Sequence, residues 1–217
     1  MTSTPNSPTS RDSLVVQPFP EPGPAIRTAY RELALAAHGT DEQKKALGDP
    51  TQLPRPWIPA TCRTKVLREQ IWDWLERFVT WFNHEYVWDP AGVVPPCWPN
   101  HPHLVNEIAV LVDQRRRASK ALDSEVLEEW HRYSLPAFIE RMRSRVHDHC
   151  ADGHQPWPAR SRYAAHTGDQ HINHRIRSFA ADTIEMQQLL DTEHTSTSVG
   201  ARLRAIRVDP DTGEVLD

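Results

Sequence analysis

Proline, more than any other residue, limits what this sequence can fold into. Nineteen prolines stand against only eight glycines, and most of the prolines lie between stretches in which apolar residues recur with helical spacing. Proline ends or kinks a helix because it lacks a backbone N–H, whereas tight turns between β-strands depend on glycine. The sequence therefore predicts a mainly α protein, a compact helical domain of about five to six helices with proline-rich connectors, rather than a β-sandwich.

The segment from Thr61 to about Trp88 carries the clearest helical pattern. Its apolar residues follow the i, i+4, i+7 spacing of one helix face, at Leu67, Ile71, Trp74, Leu75, Phe78, Phe82 and Tyr86. Trp72 and Trp81 lie partly off this stripe, so more than one side of the helix should be covered. We therefore expect this helix at the centre of the fold.

Further helices are predicted on both sides of the central one. Before it, helical spacing runs from Pro24 to Leu47 and stops once, at Gly39. After it, Asn100 is a suitable N-cap, because Pro102 then falls in the first turn, where its missing N–H costs little. Pro136 should break or kink the preceding helix and then occupy the first turn of another helix, as Pro102 does.

Changes in composition divide the chain into five stretches. The first is rich in Ser, Thr and Pro and has too few apolar residues to offset the entropy of ordering it. Near the carboxyl end, residues 209–213 separate two short apolar runs and end in Gly213, which is typical of a small hairpin. The predicted organisation is a disordered tail at 1–24, a helical lead-in and proline-rich connector at 25–60, a helical core domain at 61–154, a basic linker and helix at 155–198 and a tail with a small C-terminal β-hairpin at 199–217.

Composition favours a soluble protein of the cytoplasm. The mean hydropathy is -0.63, and no stretch reaches the roughly 18 apolar residues that a membrane helix needs. Residues 1–13 lack the apolar core of a secretion signal, and three widely spaced cysteines suit free thiols in a reducing compartment. The formal net charge of -4 provides no basic field for bulk nucleic-acid binding, so we expect a cytoplasmic location and no membrane association.

Three local features fall together between Trp88 and Cys150. A Trp-Pro-Asn-His-Pro run at 98–102 opens a helix, the helix with Trp130 runs into Leu135-Pro136, and Cys150 closes the following helix. In these features the block resembles a small domain family of unknown function carried by actinobacterial chromosomes, plasmids and integrative elements. The resemblance implies a helical domain and a mobile-element setting, and it brings no known reaction.

Cysteines and histidines concentrate in two short segments. Their patterns are Cys97-x3-His101-x-His103 and His147-x-His149-Cys150-x3-His154. Thiolate sulfur and imidazole nitrogen hold zinc tetrahedrally, so the two segments could supply four ligands if they meet. The candidate ligands are Cys97, His101, His103, His147 and Cys150. Small buried thiols and helix-capping histidines are the alternative, in which case the sequence predicts no cofactor.

Two further groups of residues are candidates for binding a macromolecule. A basic face for DNA would use Arg115, Arg116, Arg117, Lys120, Arg141, Arg143 and Arg145. Acidic residues of the same helices can neutralise this face, which would leave ordinary solvated helix surface. Tryptophans beside proline-rich loops could instead form an aromatic patch for a protein partner, at Trp88, Trp98 and Trp157. Burial of these rings by their own loops is the alternative.

The sequence lacks a nucleophile elbow, a phosphate loop, a dinucleotide fingerprint and a metalloprotease helix. We therefore predict no catalytic residue and expect a non-catalytic helical protein-interaction or accessory protein of a mobile genetic element, with another protein as partner. Two alternatives remain open at this point. One is a DNA-associated accessory protein that uses the arginine-rich helical face, and the other is a zinc-binding structural domain.

Overall fold

The computed structural model describes residues 15–147, 149–150, 152–204, 207–208 and 215–216. Of these, the side chains of residue 147 and of all residues beyond 192 lie outside the description. Contacts divide the chain into two compact units, Met1–Gln155 and Pro156–Asp217. The predicted mainly α fold is confirmed, because helices account for most of the described residues. No helix in the described ranges is both long and apolar enough to cross a membrane.

The first unit is built from helices joined by short 3₁₀ turns. The α-helices are α1 (Pro24–His38), α2 (Asp41–Leu47), α3 (Lys65–Glu85), α4 (Pro102–Ala118), α5 (Glu125–Glu129) and α6 (Leu135–Met142). The 3₁₀ turns are Pro50–Gln52, Pro59–Thr61, Pro90–Gly92 and Trp98–Asn100. Each turn contains proline, because a fixed φ and a missing N–H suit the start of a short turn.

The helix α3 lies at the centre of this unit, as its apolar stripe predicts. Its residues Ile71, Trp74, Leu75 and Phe82 are fully buried, and α1 and α4 pack against it. Trp81, which lies off the stripe, is also buried. Burial on several faces is the expected state of a helix at the centre of a helical domain.

The break between α1 and α2 lies at Gly39, where the sequence predicts it. Gly39 is the C-cap of α1, and its backbone N–H donates to the Leu35 carbonyl. Thr40 then caps α2, with its side chain accepting a hydrogen bond from the backbone of Gln43, while the Gln43 side chain accepts one from the backbone of Thr40. This reciprocal pair is a capping box, a purely local device that the sequence already contains.

Pro136 lies in the first turn of α6, and the helical backbone continues without a break before it. Between α5 and α6 the backbone forms a π-helical segment, Trp130–Ser134, and a second one, Arg143–His147, follows α6. A π-helical turn lets a helix absorb a proline ring by widening the turn before it. Trp130 is buried there, and its indole N–H donates to the Leu111 carbonyl at 3.2 Å.

The amino-terminal segment differs from the disordered tail predicted for 1–24. Residues 1–14 lie outside the described residues, but the chain before α1 packs on α3. The indole of Trp74 donates to the Pro20 carbonyl at 2.8 Å, and that of Trp81 donates to the Gln17 carbonyl at 3.0 Å. Phe19 lies edge-on to Trp81 with ring centroids 5.3 Å apart. The segment is ordered because buried indole N–H groups need acceptors, and this backbone supplies them.

The second unit contains α7 (Arg160–His166), α8 (Asp169–Arg204) and two strands of two residues each. The strands, β1 (Arg207–Val208) and β2 (Val215–Leu216), pair antiparallel with Arg207 opposite Leu216. Residues 209–214, which would form the turn of the expected hairpin, lie outside the described residues. The small hairpin therefore stays a prediction.

Candidate metal centre

Two cysteines and two histidines converge at the amino-terminal end of α4. The Sγ atoms of Cys97 and Cys150 lie 3.3 and 3.5 Å from the same atom, Nε2 of His101. One potential ligand atom from each of these residues and one from His154 all lie within 4.8 Å of one another. The site therefore combines two thiols with two imidazoles in a volume the size of one coordination sphere.

The quartet suits zinc in both ligand type and size. With zinc–sulfur bonds of about 2.3 Å and zinc–nitrogen bonds of about 2.0 Å, the ligand atoms of a tetrahedral site are separated by about 3.3–3.8 Å. Two of the separations in this site are 3.3 and 3.5 Å, and all of them lie within 4.8 Å. Side-chain movements of about 1 Å or less would bring all four donors onto one ion.

A short loop and a buried tryptophan hold the first half of the site. Cys97 precedes the 3₁₀ turn Trp98–Asn100, and His101 follows it as the N-cap of α4. The sequence predicts Asn100 as the N-cap of α4, but the N-cap is His101. Asn100 instead belongs to the turn and donates its N–H to the Cys97 carbonyl at 2.9 Å. Trp98 anchors the turn on α3, where its indole N–H donates to Glu76 at 3.2 Å.

The second half of the site follows the π-helical segment after α6. Cys150 donates its backbone N–H to the carbonyl of Val146, which is buried in the core. Gly153 then turns the chain with a φ of +123°. This turn returns His154 toward His101, and the two imidazole centroids lie 5.0 Å apart. A left-handed glycine therefore positions the fourth ligand.

Replacing Gly153 by Ala should weaken the site through its backbone. At a φ of +123° a side chain is strained by about 1–3 kcal/mol, although open space surrounds the glycine. We expect zinc affinity to fall about 5- to 150-fold, measured by competition with a colorimetric chelator. Gly48→Ala is the matched control, because Gly48 has a φ of +73°, also faces open space and ends α2. Equal affinities of the two variants would contradict this role of Gly153.

Burial shifts the pKa of two of the four candidate ligands, Cys97 and His101. It raises the pKa of the Cys97 thiol, and the neighbouring Cys150 thiol raises it further. Burial also lowers the pKa of His101, and the nearby His154, His103 and His149 add to that effect. The pocket thus favours the neutral imidazole of His101, the form that binds metals, and disfavours a Cys97 thiolate that has no cation beside it.

The structure separates the candidate ligands into two groups. Cys97, His101 and Cys150 meet, whereas His103 lies on the first turn of α4, outside the quartet. The Nε2 atom of His103 is buried and has no hydrogen-bond partner in the described part of the chain. The side chain of His147 lies outside the described residues.

His154 belongs to the wider sequence pattern but is missing from the five candidate ligands. The signal that identifies it is a repeat, because each half of the quartet is a Cys-x3-His unit, 97/101 and 150/154.

The arginine face predicted for DNA is largely engaged within the protein. Both Arg141 and Arg145 pair with Glu107, at 2.7 and 2.6 Å, and Arg143 lies 3.7 Å from Asp89. The remaining members lie at the end of α4. Arg116 pairs with the buried Asp113, Arg115 lies over the rings of Phe19, Trp81 and Trp130, and Arg117 and Lys120 are exposed. Internal pairing leaves less of this charge for phosphates.

The three candidate tryptophans differ in exposure and in the unit to which they belong. Trp98 is only 3% exposed, so this residue is corrected from a partner-binding residue to an anchor of the turn Trp98–Asn100. Its burial follows from the neighbouring Trp72 ring and from the Glu76 acceptor for its N–H. Trp88 is 99% exposed, and Trp157 belongs to the second unit, where it packs beside Tyr163.

Comparison with protein-family models, with curated proteins and with solved structures finds no match to this chain. The resemblance of residues 88–150 to an actinobacterial domain family therefore stays a prediction, and so does the mobile-element setting. Because a fold alone does not determine a function, the residues of the site carry the functional inference.

Proposed function

We propose that this protein binds one zinc ion through Cys97, His101, Cys150 and His154, and that the ion holds a non-catalytic helical module together. The observation that carries the proposal is the convergence of these four donors within 4.8 Å. Sites with four protein ligands are structural, because catalytic zinc sites keep one position open for water or substrate. A structural role also agrees with the lack of catalytic motifs in the sequence.

The position of the site explains what zinc would contribute. His101 and Cys150 are 49 residues apart in sequence, and their segments are anchored separately on the core. An ion bound to both segments links the ends of this long loop in the folded chain, so its binding free energy adds to the stability of the fold. The end of the α6 region would thereby be held against the start of α4.

A groove between the helices joined in this way supports a partner-binding role for the module. It has a volume of about 470 Å³ and lies between α4 and the Trp130–Met142 region, where apolar side chains such as Val110, Leu111 and Phe138 alternate with polar and charged ones such as Glu107 and Arg141. Val110 and Tyr133 are exposed large apolar side chains. A groove that combines exposed apolar side chains, an aromatic ring and polar groups is typical of a protein-interaction surface. The DNA-associated alternative has less support, since most of the arginines on its face have partners within the protein.

Metal analysis of the full chain tests the proposal. We expect one zinc per chain by elemental mass spectrometry and an X-ray absorption spectrum with two sulfur and two nitrogen ligands at about 2.3 and 2.0 Å. His154→Ala should lower zinc affinity about 10- to 1000-fold, because three ligands bind more weakly than four and the exposed position leaves the core intact. His171→Ala, also at an exposed position, should keep the affinity of the unchanged chain.

Two results would overturn the proposal. One is a chain that folds with less than stoichiometric zinc when it is purified with zinc present. The other is a His154→Ala variant that binds zinc as tightly as the unchanged chain does. Cys150→Ala provides a second test of the same site, since it removes a sulfur ligand from the absorption spectrum.

A further inference from the structure

The helix α8 carries a regular stripe of exposed apolar residues. Ile176, Phe179, Met186 and Leu190 are 57%, 65%, 55% and 42% exposed, respectively. Single exposed apolar residues are ordinary, but a series of them on one helix is not. Within its own unit, α8 packs against the short α7 near Gly168, and the stripe extends well beyond that contact.

The spacing of the stripe identifies the kind of surface that covers it. With the half-buried Ile172 and the polar Thr183 added, alternating steps of four and three residues connect the positions of the stripe, which are Ile172, Ile176, Phe179, Thr183, Met186 and Leu190. This period of 3.5 residues is the heptad repeat of a coiled coil, in which a and d residues pack against a second helix. Ile176, Thr183 and Leu190 take the a positions, and Ile172, Phe179 and Met186 take the d positions. The polar Thr183 hydroxyl already donates to the Phe179 carbonyl at 2.8 Å, so it needs no partner across the seam.

We propose that a second copy of this chain covers the stripe and that the two α8 helices form a parallel coiled coil in register. The residues that flank the seam determine which helix fits. The e positions are uncharged, at Asn173, Ala180 and Gln187, and the g positions hold Arg175, Asp182 and Leu189. In a parallel dimer each g residue meets the following e residue of the other copy, so no like charges face each other.

The antiparallel arrangement is disfavoured by the same residues. With the apolar layers aligned about the middle of the stripe, Asp182 of one copy would lie opposite Asp182 of the other. Two carboxylates at that distance repel each other. Charge therefore selects the parallel pairing. This inference concerns the second unit and is independent of the metal site.

The test is the mass of the full, zinc-supplemented chain in sedimentation equilibrium over about a hundredfold range of concentration. We expect a monomer–dimer equilibrium. Phe179→Glu should raise the dimer dissociation constant about 100-fold or more, because it places a charge in the seam. Ile184→Glu is the matched control, since Ile184 is 59% exposed on the same helix but lies off the seam, and it should change the constant less than about threefold. Thr183→Ile should lower the constant, because it adds an apolar a residue.

The relative orientation of the two α8 helices is tested with the Thr183→Cys variant. The substituted side chains of the two copies face each other at an a position only in the parallel pairing. Rapid disulfide cross-linking beyond that of the unchanged chain supports the parallel dimer. A chain that remains monomeric throughout the concentration range overturns the proposal and indicates that a different protein covers the stripe. A dimer that responds equally to Phe179→Glu and Ile184→Glu, with helix content unchanged by circular dichroism, also overturns it. Loss of zinc from the His154→Ala variant should leave the dimer intact, which separates this inference from the proposed function.

Discussion

Removal of zinc with a chelator is expected to lower the midpoint of thermal unfolding by about 8–16 °C. A ligand that binds only the folded state stabilises it by about 4 kcal/mol when its free concentration is 1000 times the dissociation constant. For a domain of this size each kcal/mol changes the midpoint by about 2–4 °C. The effect is large because the ion would hold together two segments that are 49 residues apart in sequence, at His101 and Cys150.

Calorimetry of the full chain, with and without chelator, measures this change. Restoring zinc should restore the midpoint. The Cys150→Ala variant is the control, because it should start near the chelated midpoint and respond to neither treatment. A chelated protein that has lost its zinc and still unfolds at the original temperature would show that the ion does not stabilise the fold.

Replacement of Asp113 by Ala is expected to destabilise the first unit by about 3–5 kcal/mol. Asp113 is only 7% exposed and is the buried charge at the junction of α1 and α4. It accepts hydrogen bonds from the Tyr30 hydroxyl at 2.7 Å and from the Arg116 guanidinium at 2.8 Å. The guanidinium also lies 3.4 Å from the centroid of the Tyr30 ring. Without the carboxylate, a buried cation and a hydroxyl lose their acceptor at once.

Burial raises the pKa of the Tyr30 hydroxyl, and the Asp113 charge raises it further. The hydroxyl therefore remains a donor across the physiological range, and the network stays intact. Tyr30→Phe removes one donor and keeps the ion pair, so it should cost only about 0.5–1.5 kcal/mol.

Urea unfolding of the variants measures these differences. Asp73→Ala is the matched control, because Asp73 pairs with Arg77 at the same distance of 2.8 Å but on an exposed surface. Loss of that pair should cost about 1 kcal/mol or less. If Asp113→Ala cost no more than Asp73→Ala, the buried network would not contribute as its geometry indicates.

Several elements follow from sequence alone, because their causes are local. The α3 stripe, the stop at Gly39 and the capping box of Thr40 depend on residues within one or two turns of each other. The heptad spacing of α8 is local in the same sense. Such patterns determine where helices form and which of their faces are apolar.

Other features depend on residues that only the folded chain brings together. The ordered segment before α1 packs because Trp74 and Trp81 need acceptors for their N–H groups, and nothing in residues 15–23 signals that need. The sequence shows that acidic residues can neutralise the arginine face, but only the fold places Glu107 against both Arg141 and Arg145, which are more than 30 residues away.

The candidate metal centre shows this division between local and tertiary causes most clearly. The sequence contains both Cys-x3-His units, and each is recognisable by its spacing. Which histidines join the cysteines depends on a 3₁₀ turn, on a glycine with positive φ and on the packing of Trp98. Local spacing therefore determines the helices and the ligand types, whereas tertiary packing alone decides which four ligands meet, because the two halves are separated by a loop that only the core can close.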